Sequence, residues 1–368
     1  MATKLEISEL DFDGIKDNLK TFLRQQDEFT DYDFEGAGMS TLLDVLAYNT
    51  HYLGYNANML ANEMYLDSAD LRSSVVSLAK QVGYTPTSAT SSSAIVDVLI
   101  NNASGSTLTM NAGTQFTTTV DGQSYAFVNK EDVSITPIDN VFKFSNLSIF
   151  EGSYLNYKYT VSTSDIDQRF VIPNDGVDTS TLRIKVQESS SDSTTQTYKL
   201  ATGITGLDST SKVYFLQEIE TGRFEVYFGD GVLGKAVADG NIIIMDYITC
   251  NRNAPNGATT FTLSGSIGGF SSATVTTVEG AANGSAKETI KSIKYNAPRD
   301  YTAQDRAVTA DDYKVLVKSL YANAQAVQVY GGEDAEVPDY GKVYISIKAK
   351  SGSNLTVATK ASLVQQLK

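Results

Sequence analysis

The sequence predicts an α+β multidomain protein, with an N-terminal helical region, a β-rich middle and a C-terminal α/β unit. Two patterns support this order. Apolar residues recur at helical spacing up to Gly83, and they then alternate as in strands until helical spacing returns near Ser285. The length of 368 residues exceeds the size at which one hydrophobic core usually stops growing. We therefore expect regions at 1–90, 91–284 and 285–368.

The N-terminal region 1–90 is expected to contain helices that serve in assembly. The first carries apolar residues at helical spacing behind the possible caps Asp11 and Asp13. The second is expected from 40 to about 66, with Ser40 as its N-cap. The third should begin at 67 or 68 and stop at Gly83, since glycine favours the backbone conformation that ends helices.

The β-rich region 91–284 follows a Ser/Thr-rich stretch and could divide into two subdomains. Alternation predicts a strand over 181–187 that buries Leu182, Ile184 and Val186, and a second strand over 223–228. The polar run 189–195 between strands indicates an exposed loop or a hairpin tip.

The C-terminal region 285–368 is expected to be a compact α+β unit. A helix begins near Ser285, and a second begins at Thr309, where Asp312 suggests a capping box. Strands over 324–330 and 342–350 precede a last helix from about residue 356. That helical pattern still runs at the end of the sequence, so the unit could be truncated at its C-terminal end.

Charge and composition exclude several classes of function. The formal charge of −14 would repel a phosphate backbone, so we predict no nucleic-acid partner. The acidic opening of the sequence does not resemble a secretory signal, and the apolar runs are too short for a membrane span. We therefore also predict no membrane partner.

The sequence offers little catalytic chemistry. Cys250 is the only cysteine and His51 is the only histidine, which excludes a disulfide framework and clustered Cys or His metal sites within one chain. The acidic run 31–36 imitates half of a calcium loop, but Leu42 stands where the bidentate glutamate is needed. The glycines of 229–235 lack phosphate-loop spacing and indicate a tight turn. We predict no cofactor, no metal and no catalytic residues.

The second helix carries two apolar stripes at 100° per residue. The first has the spacing of an ordinary core face and consists of Leu42, Leu46, Leu53, Ala57, Leu60 and Met64. The second lies far around the helix and consists of Tyr48, Tyr52, Tyr55 and Met59. Polar residues separate the two, namely Asp44, His51, Asn58 and Asn62.

Two apolar faces on one helix require cover on both sides. The two short flanking helices are insufficient for this, so the missing cover is either another subunit or the β-rich region of the same chain. We favour the first interpretation, and predict a subunit interface made by Leu42, Leu46, Tyr48, Tyr52, Leu53, Tyr55, Met59, Leu60 and Met64.

Three sequence segments resemble a known family. The first is FEGAGMSTLLDVLAYNTHYLGYNANMLANEMYLDSADLRSSVVSLAKQVGYTP, at 34–86. The others are FGDGVLGK with GNIIIMDYITC, and NAPRDYTAQDRAVTADDY at 296–313. The first resembles baseplate wedge proteins of T-even-like contractile-tailed phages, and the others resemble the baseplate J-like core of contractile tails. No such motif was found between about 94 and 223.

The resemblance implies a structural role in the virion, at the tail baseplate, after synthesis in the host cytoplasm. In such a wedge, a second copy of the chain and a second, unlike wedge protein would join it through a helical bundle. These units would close as a clamp or ring around the central hub. The resemblance also implies contact with a small sheath-nucleating wedge protein and a part in transmitting the signal for sheath contraction.

Arg299 and Arg306 are predicted to be structural. They would tie the junction before the Thr309 helix to carboxylates or carbonyls, because the planar guanidinium group of arginine suits fixed pairings.

The alternative function is a tail-associated carbohydrate-binding or carbohydrate-cleaving protein, which the Ser/Thr-rich β region and 21 tyrosines would suit.

Overall fold

The protein is an α+β multidomain chain, with 25% of residues in helices and 37% in strands, as predicted. The computed structural model describes residues 11–26, 38–101, 105–165, 168–201, 203, 206–303, 306–321, 324–335, 337–349, 355 and 357–367. The chain folds as two compact units, Met1–Gln81 and Val82–Lys368. The finer division into three regions remains a prediction.

The first unit is helical in its described part. Its helices are α1 (Phe12–Leu23), α2 (Gly38–Glu63) and α3 (Arg72–Gln81). Asp11 caps α1, since its carboxylate accepts a hydrogen bond from the Gly14 amide at 3.1 Å. The prediction that Ser40 caps α2 is wrong, because the helix already includes Gly38 and Ser40 is buried within its first turn. A glycine is tolerated there because the first amides of a helix have no intrahelical acceptor to lose.

The connection from α2 to α3 is held by the last turn of α2. The Glu63 carboxylate accepts hydrogen bonds from the backbone amides of Asp70 at 2.8 Å and Leu71 at 3.3 Å. The Ser68 hydroxyl donates to the Asn62 carbonyl at 2.7 Å. These bonds keep residues 64–71 outside a regular helix, so α3 begins later than the sequence pattern predicted.

The second unit opens with fifteen strands in its described residues. They are β1 (Ser93–Asn101), β2 (Leu108–Met110), β3 (Gln115–Val120), β4 (Gln123–Val128), β5 (Val133–Ile135), β6 (Val141–Glu151), β7 (Ser153–Thr160), β8 (Phe170–Val171), β9 (Val177–Ser189), β10 (Asp192–Leu200), β11 (Val213–Glu218), β12 (Phe224–Phe228), β13 (Ile242–Thr249), β14 (Thr262–Ser264) and β15 (Thr274–Ala282). Two larger sheets contain all but β2 and β5, which pair with each other.

The first larger sheet has six strands in the order β14-β3-β4-β6-β1-β15. Its core includes Phe116, Phe127, Phe142 and Phe144, which are fully or almost fully buried. The rings of Phe127 and Phe261 meet edge to face, with centroids 4.9 Å apart. Aromatic side chains therefore supply a large share of this core, alongside aliphatic ones.

The second larger sheet has seven strands in the order β7-β13-β9-β10-β11-β12-β8. The prediction that Leu182, Ile184 and Val186 share a buried face is confirmed on β9. The polar run 189–195 is confirmed as the tip of a hairpin, because β9 and β10 pair antiparallel on either side of it. Each larger sheet has its own hydrophobic core.

The glycine-rich segment 229–235 is confirmed as a turn, and it leads from β12 towards β13. The Asp230 carboxylate accepts hydrogen bonds from the amides of Val232 and Leu233, both at 2.9 Å. Gly234 has a φ of +90°. A Cβ atom at Gly229 would lie 2.4 Å from the Gly234 backbone, so only glycine fits there.

The C-terminal part contains α4 (Ile290–Ala303), α5 (Ala310–Leu320), β16 (Ala324–Gly331), a 3-10 helix (Gly332–Asp334), β17 (Val343–Ala349) and α6 (Val357–Gln366). The capping box is confirmed. Thr309 accepts from the Asp312 amide at 3.2 Å, and the Asp312 carboxylate accepts from the Thr309 amide at 2.8 Å. α4 begins about five residues later than expected, after Glu288 and Thr289.

Candidate subunit interface

The inward face of α2 is made mainly of small and polar residues, with Leu43 as its large apolar member. Ser40, Leu43, Ala47, Asn58 and Ala61 are buried, and at 100° per residue they fall on one side of the helix. Small side chains allow neighbouring segments of the unit to approach this face closely. α1 packs against α2, and Lys16 forms an ion pair with Asp44.

Both predicted apolar stripes point outward. In the leucine stripe, Leu60 is 64% exposed, and in the tyrosine stripe Tyr52 is 49% exposed. The same holds for the other large members, which are Leu42, Leu46, Tyr48, Leu53, Tyr55, Met59 and Met64. The leucine stripe, whose spacing is that of an ordinary core face, is therefore exposed like the tyrosine stripe, and the subunit interface remains a prediction. The spacing of large apolar residues was correct, but Ala47 and Ala61 mark the face that the unit buries.

Val45 joins the two stripes into one surface, and sequence analysis missed it. It is 62% exposed, and by helical spacing it lies between the stripes on the outward side. The polar residues that were expected to separate the stripes lie on the opposite side, where Asn58 is buried and His51 is half-buried. The sequence did contain this information. Val45 follows Asp44 along the helix, and the rotation of 100° between them turns Val45 away from the polar side. We call these ten exposed residues the α2 apolar surface.

The aromatic part of the α2 apolar surface is ordered by contacts within the helix. The ring centroids of Tyr48 and Tyr52 are 4.7 Å apart, and the ring of His51 meets that of Tyr52 edge to face at 6.3 Å. A hydrogen bond to Tyr52 raises the pKa of the Tyr48 hydroxyl. The surface offers aromatic and aliphatic side chains with few charges, which is the chemistry of protein association.

Two features are absent from the residues that the structure describes. In those residues, no group of three or more His, Cys, Asp or Glu side chains is placed to hold a metal ion. No helix in the described part is long and apolar enough to cross a membrane. The acidic run 31–36, considered as a calcium loop, lies outside the described residues.

Arg299 contacts its own helix. Its guanidinium donates to the Tyr295 carbonyl at 2.7 Å and lies 3.6 Å from the centre of the Tyr295 ring. Lys318 of α5 lies over the same ring at 5.3 Å. The backbone amide of Arg306 donates to the Ala303 carbonyl at 2.9 Å. These contacts lie within or just after α4, so the structural role of both arginines in tying the junction remains a prediction.

A partly buried polar cluster around Glu288 was not foreseen from the sequence. Its carboxylate accepts hydrogen bonds from the Tyr84 hydroxyl at 2.8 Å, the Ser292 hydroxyl at 2.7 Å and the Asn296 amide at 2.8 Å. The Thr87 backbone amide also donates to it, at 3.1 Å. Burial and the nearby carboxylate raise the pKa of Tyr84. These hydrogen bonds connect residues 84–87 to the start of α4. Tyr84 and Glu288 are 204 positions apart in the sequence, so no local sequence pattern predicts their contact.

Three family models match the chain. The helical domain of gp6-like baseplate wedge proteins matches residues 11–84, which contain the α2 apolar surface. The third domain of the bacteriophage baseplate wedge protein gp6 matches residues 157–258. C-terminal domain I of the baseplate structural protein gp6 matches residues 309–368.

The chain is also similar to two whole proteins. The chain is 29% identical to the baseplate wedge protein gp6 of Enterobacteria phage T4 over a 387-residue alignment, which covers 97% of the chain and 56% of that relative. The chain thus spans little more than half the length of this relative. A chain of the anti-feeding prophage baseplate, solved by cryo-electron microscopy, shares 12% identity at a TM-score of 0.33, over 99% of this chain and 77% of its own length. The three domain matches and the T4 alignment make the chain similar to gp6-like baseplate wedge proteins and support a structural role in a baseplate.

Proposed function

We propose that this chain is a structural subunit of a phage tail baseplate wedge and that the α2 apolar surface joins it to other subunits. The observation that carries the proposal is the orientation of α2, which buries mainly small residues and exposes most of its large apolar ones. The surface lies within the range that matches the helical domain of gp6-like wedge proteins. We place the protein in the virion, at the tail baseplate, after synthesis in the host cytoplasm.

The partners that suit this surface are a second copy of the chain and a second, unlike wedge protein, joined in a helical bundle. Exposed apolar area costs about 25 cal/mol per Å², and the ten apolar side chains on α2 and directly after it make that cost substantial. Two apolar stripes joined by Val45 can each serve a different neighbouring helix. Aromatic side chains such as Tyr52 and Tyr55 are the usual anchors of such contacts.

The wider role follows from the family resemblance. We propose that the joined units form a clamp or ring around the central hub and contact the small sheath-nucleating wedge protein. A change of that ring on host attachment would help to transmit the signal for sheath contraction. Membership of the baseplate J-like family belongs to the same proposal.

Native mass measurement tests the function directly. The chain would be co-expressed with the other baseplate proteins of its own phage, and the intact complexes weighed. We expect a hetero-oligomer that contains two copies of this chain and one unlike wedge protein. A chain that stays monomeric at every concentration, with every baseplate protein offered, would refute the role.

We also propose that the protein is not an enzyme. The Glu288 carboxylate, which lines a cleft, already accepts hydrogen bonds from four donors, as expected for a structural group. Incubation with peptidoglycan or polysaccharide should give no turnover. Turnover that a single carboxylate substitution abolishes would instead support the carbohydrate-cleaving alternative.

A further inference from the structure

We propose that the Asn256 side chain shields both Asn-Gly pairs of this chain from deamidation, and that loss of its amide opens the way for the same reaction at Asn283. The inference concerns a chemical modification site and is independent of assembly through α2. It depends on three observations: the two Asn-Gly pairs, the hydrogen bonds that hold their reacting groups, and the direct bond between the two sites.

The sequence contains two Asn-Gly pairs, at 256–257 and 283–284. Asparagine is a thermolabile residue, and a following glycine leaves its own backbone nitrogen open to reaction because it has no side chain. In deamidation, this nitrogen forms a bond to the asparagine Cγ, and the Cγ–Nδ2 bond breaks. Ammonia leaves with the proton of the backbone nitrogen, and water opens the resulting succinimide to aspartate or isoaspartate. Both pairs are therefore chemically suited to the reaction.

The first pair is held in a geometry that does not react. The backbone nitrogen of Gly257 donates to the Ala281 carbonyl at 2.7 Å. The Asn256 side chain has other partners, since its Nδ2 donates to the Gly284 carbonyl at 3.0 Å and its Oδ1 accepts from the Ser92 hydroxyl at 2.7 Å. The attacking nitrogen and the amide that it would attack are thus held apart, and the reaction requires these bonds to open.

The second pair is held in the same way, and one of its partners is Asn256. The backbone nitrogen of Gly284 donates to the Asn256 Oδ1 at 3.0 Å, and the Asn283 Oδ1 accepts from the Tyr321 hydroxyl at 3.0 Å. Asn256 therefore bonds both the amide and the carbonyl of Gly284, as a neighbouring strand would. The group that is lost at the first pair holds the nitrogen that reacts at the second pair.

The contact between Asn256 and Gly284 requires glycine. A Cβ atom at Gly284 would lie 2.1 Å from the Arg252 carbonyl oxygen and 2.9 Å from the Asn256 Oδ1. Ser92 precedes β1, Asn256 follows β13 and Gly284 follows β15, so the contact joins three segments where the chain passes between the two larger sheets. The close packing that positions Asn256 thus also requires the glycine that makes Asn283 reactive.

Deamidation of Asn256 would disrupt this contact. An oxygen would replace Nδ2 opposite the Gly284 carbonyl oxygen, and two acceptors cannot form a hydrogen bond. The new carboxylate would be partly buried against that carbonyl, which is unfavourable. Gly284 would move away, and its nitrogen would lose the Asn256 acceptor. The two reactions are therefore expected in a fixed order, first at 256 and then at 283.

The test follows both sites in the complete chain. The chain is incubated in mildly alkaline buffer, either folded or in urea, and digested with trypsin, with an unincubated sample as the background. One tryptic peptide, 253–287, lies between Arg252 and Lys287 and contains both pairs. Mass spectrometry therefore counts molecules that are modified once or twice, and fragment masses locate each modification.

The folded chain and the unfolded chain should differ in both rate and order. In urea, we expect the two pairs to react independently at similar rates. In the folded chain, both reactions should be slower by about tenfold or more, because each requires local opening. Modification at 283 should then be found almost entirely in molecules that are already modified at 256.

Variants separate the steps. Ser92→Ala removes a donor to Asn256 and should speed the reaction at 256 about fivefold. Asn256→Asp supplies the product of the first step and should remove the lag before reaction at 283. Asn253→Asp adds the same charge at an exposed position of the same segment and should leave the reaction at 283 slow.

Hydrogen exchange shows whether the Asn256→Asp chain is loosened locally or unfolded. The Ser285 amide donates to the Thr90 carbonyl at 3.0 Å beside the contact, and its exchange should become faster. Exchange at β9 amides should stay slow. If β9 also becomes fast, the Ser92→Ala chain decides, because modification at 283 should still follow modification at 256 in that chain.

Three results would each overturn the proposal. The first is modification at 283 as often in molecules intact at 256 as in modified ones. The second is an equal rate at 256 in the folded chain and in urea. The third is equal acceleration at 283 by Asn253→Asp and Asn256→Asp. None of these results would bear on the proposed function, since the residues involved lie outside the α2 apolar surface.

Discussion

Tyr48 and Tyr52 lie one turn apart on α2, with their ring centroids 4.7 Å apart and their planes inclined by 57°. Both rings are about half exposed, at 56% and 49%. The contact restricts the two rings before any partner arrives, so less conformational freedom is lost on binding. A pair of ordered, exposed aromatic side chains is the arrangement expected at the centre of an interface.

Tyr52→Asp is expected to abolish assembly with the wedge partner and to leave both β-sheets folded. The variant would bury an unpaired carboxylate at the joint, which costs more than the lost ring contact. Co-purification with the partner, together with circular dichroism of the free chain, measures both effects.

Two controls accompany that variant. Tyr52→Phe keeps the ring and should assemble. Asn18→Asp adds the same charge at an exposed position of α1 and should also assemble. Normal assembly of Tyr52→Asp would show that the tyrosine stripe is not part of the joint.

Thr309→Ala is expected to loosen the first turn of α5. The substitution removes the hydroxyl that accepts the Asp312 amide at 3.2 Å, and loss of such a cap costs about 1 kcal/mol. Hydrogen exchange in the first turn of α5 should therefore speed up about fivefold. Thr309→Ser retains the hydroxyl acceptor, so the amides of this turn should exchange as fast as in the parent chain. Equal exchange rates in the parent chain and both variants would show that the Thr309 hydroxyl does not cap α5.

The stability of the second unit is expected to fall as the pH rises from about 10 to about 12. Burial raises the pKa of Tyr214 to about 12, and burial with the nearby Asp246 carboxylate raises that of Tyr154 to about 12. Above the usual pKa of 10.0 the unfolded chain loses these protons first, so ionisation favours unfolding. Ultraviolet titration should show tyrosines that ionise only well above pH 10, and Tyr214→Phe should remove one of them. Titration of every tyrosine near pH 10 would contradict this.

Cys250 is expected to resist alkylation in the folded chain. Burial raises the pKa of its thiol from 9.0 to about 11, which lowers the reactive thiolate fraction near neutral pH about a hundredfold. Because the chain has one cysteine, mass spectrometry after iodoacetamide treatment reports this site alone. Alkylation at the same rate in native and denaturing buffer would contradict the prediction.

Local patterns predicted the local structure well. The capping box at Thr309, the cap at Asp11 and the alternation of β9 each depend on residues within a few positions of one another. Their energetics are set mainly by the backbone nearby, so a short window of sequence contains the necessary information.

Long-range pairing could not be predicted. Central β13 lies between β7 and β9, which are distant in sequence, and Tyr84 meets Glu288 across the unit. The buried face of α2 was not identified from the sequence, for a related reason. Periodicity shows which side chains share a face, but what covers that face depends on neighbours, and small residues such as Ala47 carry a weak signal.

The outward orientation of α2 has a thermodynamic consequence for the free subunit. A partner that binds only the folded helical unit stabilises it by mass action, in proportion to the logarithm of its concentration over its dissociation constant. We therefore expect the melting temperature of this unit to rise with subunit concentration and with each baseplate protein added. Assembly would then complete the folding of the N-terminal helices, and a dilute, solitary subunit would be their least stable form.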